Sequence, residues 1–299
     1  MSNLKEIRTR IASVKSTKQI TNAMKMVSAA KLKKAQDAVI RLRPYAHKLN
    51  DILEDISNSL ESDVENIYSR KTTKFKKILL VVVTANKGLC GGFNTNIIKH
   101  VDELKKTIYS EQDKNNNLFI YSFGKHGSEY FNNNKSKYNV IGYESDIFDN
   151  LSFENALPFI DNIMQTYVNK EFDKIIIVYN KFKNAAVQIL STEQFLPIQM
   201  LPNKENDNNS NIESHYIFEP SKEEIVTDLI PQSLKIQFYE TFMESIASEH
   251  GARMTAMHKA TDNATALVKD LQLKYNKARQ TSITNEILEI VGGAEALGK

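Results

Sequence analysis

Both ends of this 299-residue chain carry apolar residues at alternating steps of three and four, and such runs bury themselves only as long paired helices. From the start the positions are Leu4, Ile7, Ile11 and Val14, then Ile20, Met24 and Val27. Leu32, Ala35, Val39, Leu42, Ala46, Leu49, Leu53, Ile56 and Leu60 then continue the alternation without a miss. Pro44 falls inside this run, where it cannot donate to the carbonyl of Ile40, so a bend is expected there. A helix from about Leu4 to Ser57 would be ~80 Å long.

At the other end, Ser221 stands three residues before Glu224 as a capping box, and Pro231 is expected to interrupt or kink the helix that follows. Met257, Ala260, Ala264, Leu267, Leu271, Tyr275 and Ala278 repeat the heptad steps, followed by Ile283, Ile287 and Ile290. The second helix, from about Leu234 to Val291, would be ~85 Å long. Small residues at Ala260, Ala264 and Ala278 allow close approach of a partner. Two helices of similar length, separated by a globular insert, predict an antiparallel coiled coil of the two chain ends, with Leu4, Ile7, Ile11, Val14, Leu267 and Leu271 in its core. A coiled coil between separate chains is the alternative that periodicity leaves open.

Between these runs the period changes. "KILLVVVTA" (77–85), "LFIYSF" (118–123) and "KIIIVYN" (174–180) are apolar enough to be covered on both faces, as in a parallel sheet. Stretches 95–109 and 153–170 fit crossover helices, which gives a Rossmann-like α/β domain. "AAVQIL" and "QFLPIQM" read as a later hairpin or edge strands. The expected organisation is a coiled-coil helix over 1–60, the α/β domain over 75–200, a polar loop and return strand over 201–220, and a second coiled-coil helix over 221–299. The fold class is therefore α/β with a long antiparallel coiled coil.

"VVVTANKGLCGGFNTNIIKH" (81–100) runs a strand through a glycine turn into a helix, the geometry that holds phosphate. Its spelling does not fit. A P-loop needs Lys and Ser or Thr after its second glycine, whereas Lys87 precedes Gly88, and Gly88, Gly91 and Gly92 miss the dinucleotide spacing. No cofactor, metal or catalytic group is implied. The six histidines are scattered, and the single cysteine, Cys90, has no evident base partner. The longest apolar run, 78–85, is too short to span a bilayer.

Charge is unevenly placed. Residues 1–48 hold twelve Lys and Arg against two acids, Glu6 and Asp37, so this arm carries +10 and the rest of the chain −7 of the overall +3. On charge alone such an arm suits nucleic acid, an anionic membrane surface, an acidic protein or simply water.

Four blocks decide among these. "KEIRTRIASVKSTKQITNAMKMVSAAKLKKAQ", "NKGLCGGFNTNI", "ESIASEHGARMTAMHKATDNA" and "LQLKYNKARQTSITNEILEIVGGAEAL" closely resemble, in order and over nearly the whole chain, the γ subunits of F-type ATP synthases. The resemblance implies a central rotor shaft that couples proton or sodium flow to ATP synthesis or hydrolysis at the β subunits, without a nucleotide site of its own. Implied partners are the α and β subunits of the catalytic hexamer, the ε subunit and the membrane c-ring, with no nucleic acid. Met24, Arg279, Gln280 and Thr284 are placed by the resemblance against a β-subunit loop, and the basic arm against an acidic β-subunit lever. The lone cysteine speaks against the cysteine-pair regulation of plant-type γ subunits. The start of the chain lacks a transit peptide, so a peripheral protein on the cytoplasmic face of a bacterial plasma membrane is expected. The rival readings are a nucleic-acid-binding coiled coil and a nucleotide-dependent enzyme.

Overall fold

A computed structural model describes residues 4–59, 67–68, 70, 75–198 and 222–297. The capping box at Ser221 and the Asn-rich stretch 202–214 lie outside them. The chain opens with helix α1 (Leu4–Ser59) and closes with helix α6 (Lys222–Leu297), each assigned without a break through its proline, Pro44 and Pro231. Two compact units result. Residues 1–29 and 253–299 form one, and residues 30–252 form the other.

The second unit is built on a five-stranded sheet of order β3-β2-β1-β4-β5, from β1 (Ile78–Val83), β2 (Leu118–Phe123), β3 (Asn139–Glu144), β4 (Lys174–Phe182) and β5 (Gln188–Leu196). The first four strands are parallel, with Ile78 opposite Leu118 and Lys174, and β5 pairs antiparallel with β4. Every residue of β1, "ILLVVV", is buried, because helices cover both faces.

On one face Ile78, Leu80 and Val82 meet α2 (Phe93–Lys106), whose Phe93, Ile97, Val101 and Leu104 recur at helical spacing. Phe131 of α4 (Lys125–Asn133) joins them. A short helix, α3 (Ser110–Lys114), leads into β2. On the other face Leu79, Val81 and Val83 meet α5 (Phe153–Val168), which begins where the Ser152 hydroxyl accepts the Asn155 N–H at 3.2 Å.

That second face is completed by α6. Leu234, Phe238 and Phe242 lie in the same core, and the Phe242 ring packs 4.8 Å from Phe123 and 5.1 Å from Phe238. The sheet therefore shares its cover with the chain end. α1 joins the unit as well, since Leu49 packs with Ile236.

Two local expectations change. β3 and α4, which carry no clear apolar period in the sequence, add to the expected strands and helices. The later hairpin or edge strands expected from "AAVQIL" and "QFLPIQM" are one strand, β5, over Gln188–Leu196.

Candidate functional surface

In the first unit α1 and α6 run antiparallel. Arg8 donates to the Tyr275 hydroxyl at 2.8 Å, and further along α1 the hydroxyls of Thr21 and Thr261 meet at 2.9 Å, so one helix advances as the other retreats. Heptad positions of α1 are buried or half-buried: Ile7, Val14, Thr21 and Ser28 in this unit, and Ala35, Leu42 and Leu49 in the other. Ile20 and Val27, which the apolar pattern suggests as seam residues, are exposed. Thr21 and Ser28 take the buried places. Their hydroxyls bond back to the carbonyls of Lys18 and Met24, at 3.0 and 2.8 Å, which is how a helix accommodates a buried polar side chain.

The core residues named from sequence divide by environment. Ile7 and Leu271 are buried, Leu4, Ile11 and Val14 are half-buried, and Leu267 is 39% exposed. Leu267 and Leu271 line one groove of about 380 Å³ with Ile7, Arg10 and Lys274. Met24 is half-buried on α1. Arg279, Gln280 and Thr284 are exposed on α6, where the Thr284 hydroxyl donates to the Gln280 carbonyl at 2.9 Å. Both Arg279 and Gln280 thus keep their side-chain donors turned to the surface.

Beyond this point α6 outruns its partner. Arg8 already faces Tyr275, so the α6 residues after Thr281 lie past the described start of α1. Ile283, Ile287 and Ile290, which continue the heptad in sequence, are exposed together with Leu288 and Val291. An apolar cluster of this kind on a helix tip marks a surface that another molecule covers.

The glycine loop is tied to its own chain. Leu89 and Gly91 adopt left-handed backbone, φ 61° and 62°, and α2 starts at once behind Gly92. Asn94 of α2 accepts the Ala85 N–H at 2.9 Å through Oδ1, and its Nδ2 reaches the buried Cys90 sulfur at 3.6 Å. Asn180 of β4 donates to the Phe93 carbonyl at 3.4 Å. The crevice between β1 and β4, where a doubly wound sheet would hold a phosphate, is thus tied together by the chain's own side chains. Nearby, Gly124 sits at φ 91° with its α-carbon so close to β1 that an added Cβ would lie 2.1 Å from the Thr84 carbonyl oxygen. Among the described residues no group of three or more His, Cys, Asp or Glu could hold a metal, and no helix is long and apolar enough to cross a membrane.

Sequence reasoning did not find the polar pairs that join α1 to α6. Thr21 and Thr261 could have been found, since Thr21 and Ser28 fall in register with Ile7 and Val14. Arg43 and Glu244, paired at 3.0 Å, carry no comparable signal among the chain's many other charged residues.

A sheet unit whose cover includes α6, and a unit of paired helix ends with an exposed apolar tip on α6, are the features of a subunit of a larger assembly. Residues 3–297 match the family model described as ATP synthase. The chain is 54% identical over 297 residues to the ATP synthase gamma chain of Christiangramia forsetii and 53% identical to that of Flavobacterium johnsoniae, with 99% of each chain covered in both cases. It belongs to the ATP synthase gamma chain family. In fold it is similar to a chain of the Euglena gracilis mitochondrial ATP synthase OSCP/F1/c-ring structure, with TM-score 0.67, 21% identity, and 98% of this chain and 94% of that one covered. A chain of the Tetrahymena thermophila central stalk/c-ring structure gives TM-score 0.59 at 24% identity, covering 81% of this chain and 99% of that one.

Proposed function

We propose that this chain is the central rotor shaft of a bacterial F-type ATP synthase, coupling proton- or sodium-driven rotation to ATP synthesis and hydrolysis at the β subunits. It is a non-catalytic subunit and has no nucleotide site of its own. The observation that carries the reading is the antiparallel pairing of the two chain ends, in a chain matched over 99% of its length by ATP synthase gamma chains. A shaft has to resist bending and present different faces at different angles. Two unequal helices from one chain meet both needs.

The partners are the α and β subunits of the catalytic hexamer, the ε subunit and the c-ring, on the cytoplasmic face of the membrane. The exposed apolar tip of α6, Ile283 to Val291, suits enclosure by the hexamer. The basic arm, +10 over residues 1–48, supplies diffuse attraction to acidic β-subunit elements without fixing one angle. Met24, Arg279, Gln280 and Thr284 make the localised contacts, since Arg279 and Gln280 present donors that can bond carboxylates or carbonyls.

Co-expression with α, β and ε subunits tests this. A stable complex with ATPase activity, in which a bead on this chain turns during hydrolysis, is the expected result. Micromolar ATP or NAD binding by the isolated chain, or salt-sensitive DNA binding that persists after assembly, would replace the proposal.

A further inference from the structure

We propose, on the basis of the rotor reading, that Glu244 is a positioning residue that locks the sheet to the stretches of α1 and α6 within its own unit, residues 30–252, so that torque applied to the sheet reaches both of those stretches without slack. Glu244 lies on α6 with its side chain only 3% exposed. One carboxylate oxygen meets the Arg43 guanidinium of α1 at 3.0 Å, and the other accepts the backbone N–H of Phe182, the last residue of β4, at 3.3 Å. A single carboxylate thus joins both helices of the pair to the central sheet.

The position is specific. Phe182 opens the β4–β5 turn, and the same turn is pressed against α6 again at Gly251, where an added Cβ would come within 3.2 Å of the Ala185 carbonyl oxygen. The turn is held firm from within, because Asn184 Oδ1 accepts the N–H groups of Ala186 and Val187 at 3.0 and 2.8 Å. Next to it, Tyr179 donates to Glu193 at 3.0 Å across the two strands. Apolar packing of Phe238 and Phe242 resists separation of helix and sheet but is non-directional, and it tolerates sliding. A buried, charge-assisted contact to two elements at once resists sliding, because any shift leaves a buried carboxylate short of a partner.

The experiment uses the assembled complex with its hexamer fixed to a surface and a bead attached through Lys135→Cys, an exposed position on the α/β domain. Cys90 is buried and does not compete for the label. In the paused state, thermal fluctuation of the bead angle measures twisting compliance, and compliances in series add. Arg43→Ala and Glu244→Ala are expected to raise the angular variance about twofold, while unloaded ATPase activity stays within about twofold of the parent. Glu244→Gln keeps an acceptor for Phe182 and loses the charge, so its variance falls between these. Should Glu244→Ala fail to assemble, Arg43→Ala alone decides, since Arg43 is half-exposed and its loss leaves the Phe182 contact in place. An unchanged variance in an assembled Arg43→Ala complex, even with a lowered melting temperature, overturns the inference and makes the pair a stabilising contact only. A parent bead that never turns overturns the rotor reading beneath it, which is a different result.

Discussion

The hydroxyls of Thr21 and Thr261 lie 2.9 Å apart across the helix pair. Each has one proton. If Thr261 donates to Thr21, Thr21 donates in turn to the Lys18 carbonyl 3.0 Å away, and the chain of bonds closes on the backbone. Removing one hydroxyl leaves the other to find a carbonyl of its own helix, and removing both leaves two apolar groups of the same shape. Thr21→Val and Thr261→Val should each cost about 1 kcal/mol or less, and the double variant less than their sum. Urea unfolding followed by circular dichroism measures all three, and strict additivity would show that the two hydroxyls do not interact.

Leu271 and Leu267 stand one helical turn apart in different environments. Leu271 is buried and Leu267 is not. Leu271→Asp places an unpaired charge in the seam and should cost about 3 kcal/mol or more, with poor assembly as the visible result. Leu267→Asp should cost under about 1 kcal/mol. Equal unfolding midpoints for the two variants would contradict the antiparallel pairing.

Arg279→Ala with Gln280→Ala removes exposed donors but leaves good helix formers. The complex should assemble and its β sites should still bind ATP. If two charge-assisted bonds of about 1.5–3 kcal/mol set the preferred rotor angles, steady-state hydrolysis and synthesis should fall tenfold or more. Full activity would exclude both residues from the mechanism, and lost nucleotide affinity in an intact complex would assign them to binding.

Asp102 gives a pH-dependent test. Burial alone would raise its carboxyl, but the hydrogen bond from Tyr138 at 2.5 Å, then the hydrogen bond and charge of Lys137 at 3.0 Å, outweigh burial and hold it below the usual range. A depressed folded value gives stability that is complete above the unfolded value, about 4, and is lost as pH falls through the folded one. Asp102→Asn should therefore be less stable at pH 7, by under about 1 kcal/mol because water screens the pair, and should lose part of the parent's decline in acid. Superimposable unfolding midpoints from neutral to acid pH would remove this contribution.

Legibility in the sequence followed the strength of burial. β1, β2 and β4 were plain because central parallel strands are covered on both faces and spell continuous apolar runs. β3 was not, because an edge strand leaves Ile141 and Tyr143 exposed and spends its register on Gly142, where any Cβ would strike the Tyr121 ring. β5 read as two pieces because Ser191, Thr192 and Glu193 interrupt its apolar residues, which an edge strand permits. In the helices, a search for apolar residues selects Ile20 and Val27, whereas the heptad set by Ile7 and Val14 runs through their polar neighbours. The residues placed by family resemblance have no local signature: Arg279, Gln280 and Thr284 are exposed polar side chains on a helix, which look alike until a partner is known, and Met24 is one more half-buried apolar residue of α1.

The glycine turn between β1 and α2 has a kinetic side. Its Asn94 contacts to Ala85 and Cys90 are intramolecular, so they compete with any diffusing anion at an effective concentration set by the fold and unaffected by how much nucleotide the cell contains. A rotor that works among nucleotides and phosphate, as proposed, gains from such a turn. In the proposed rotor, the Ala85 N–H is thereby committed to Asn94 whatever the neighbouring subunits bind.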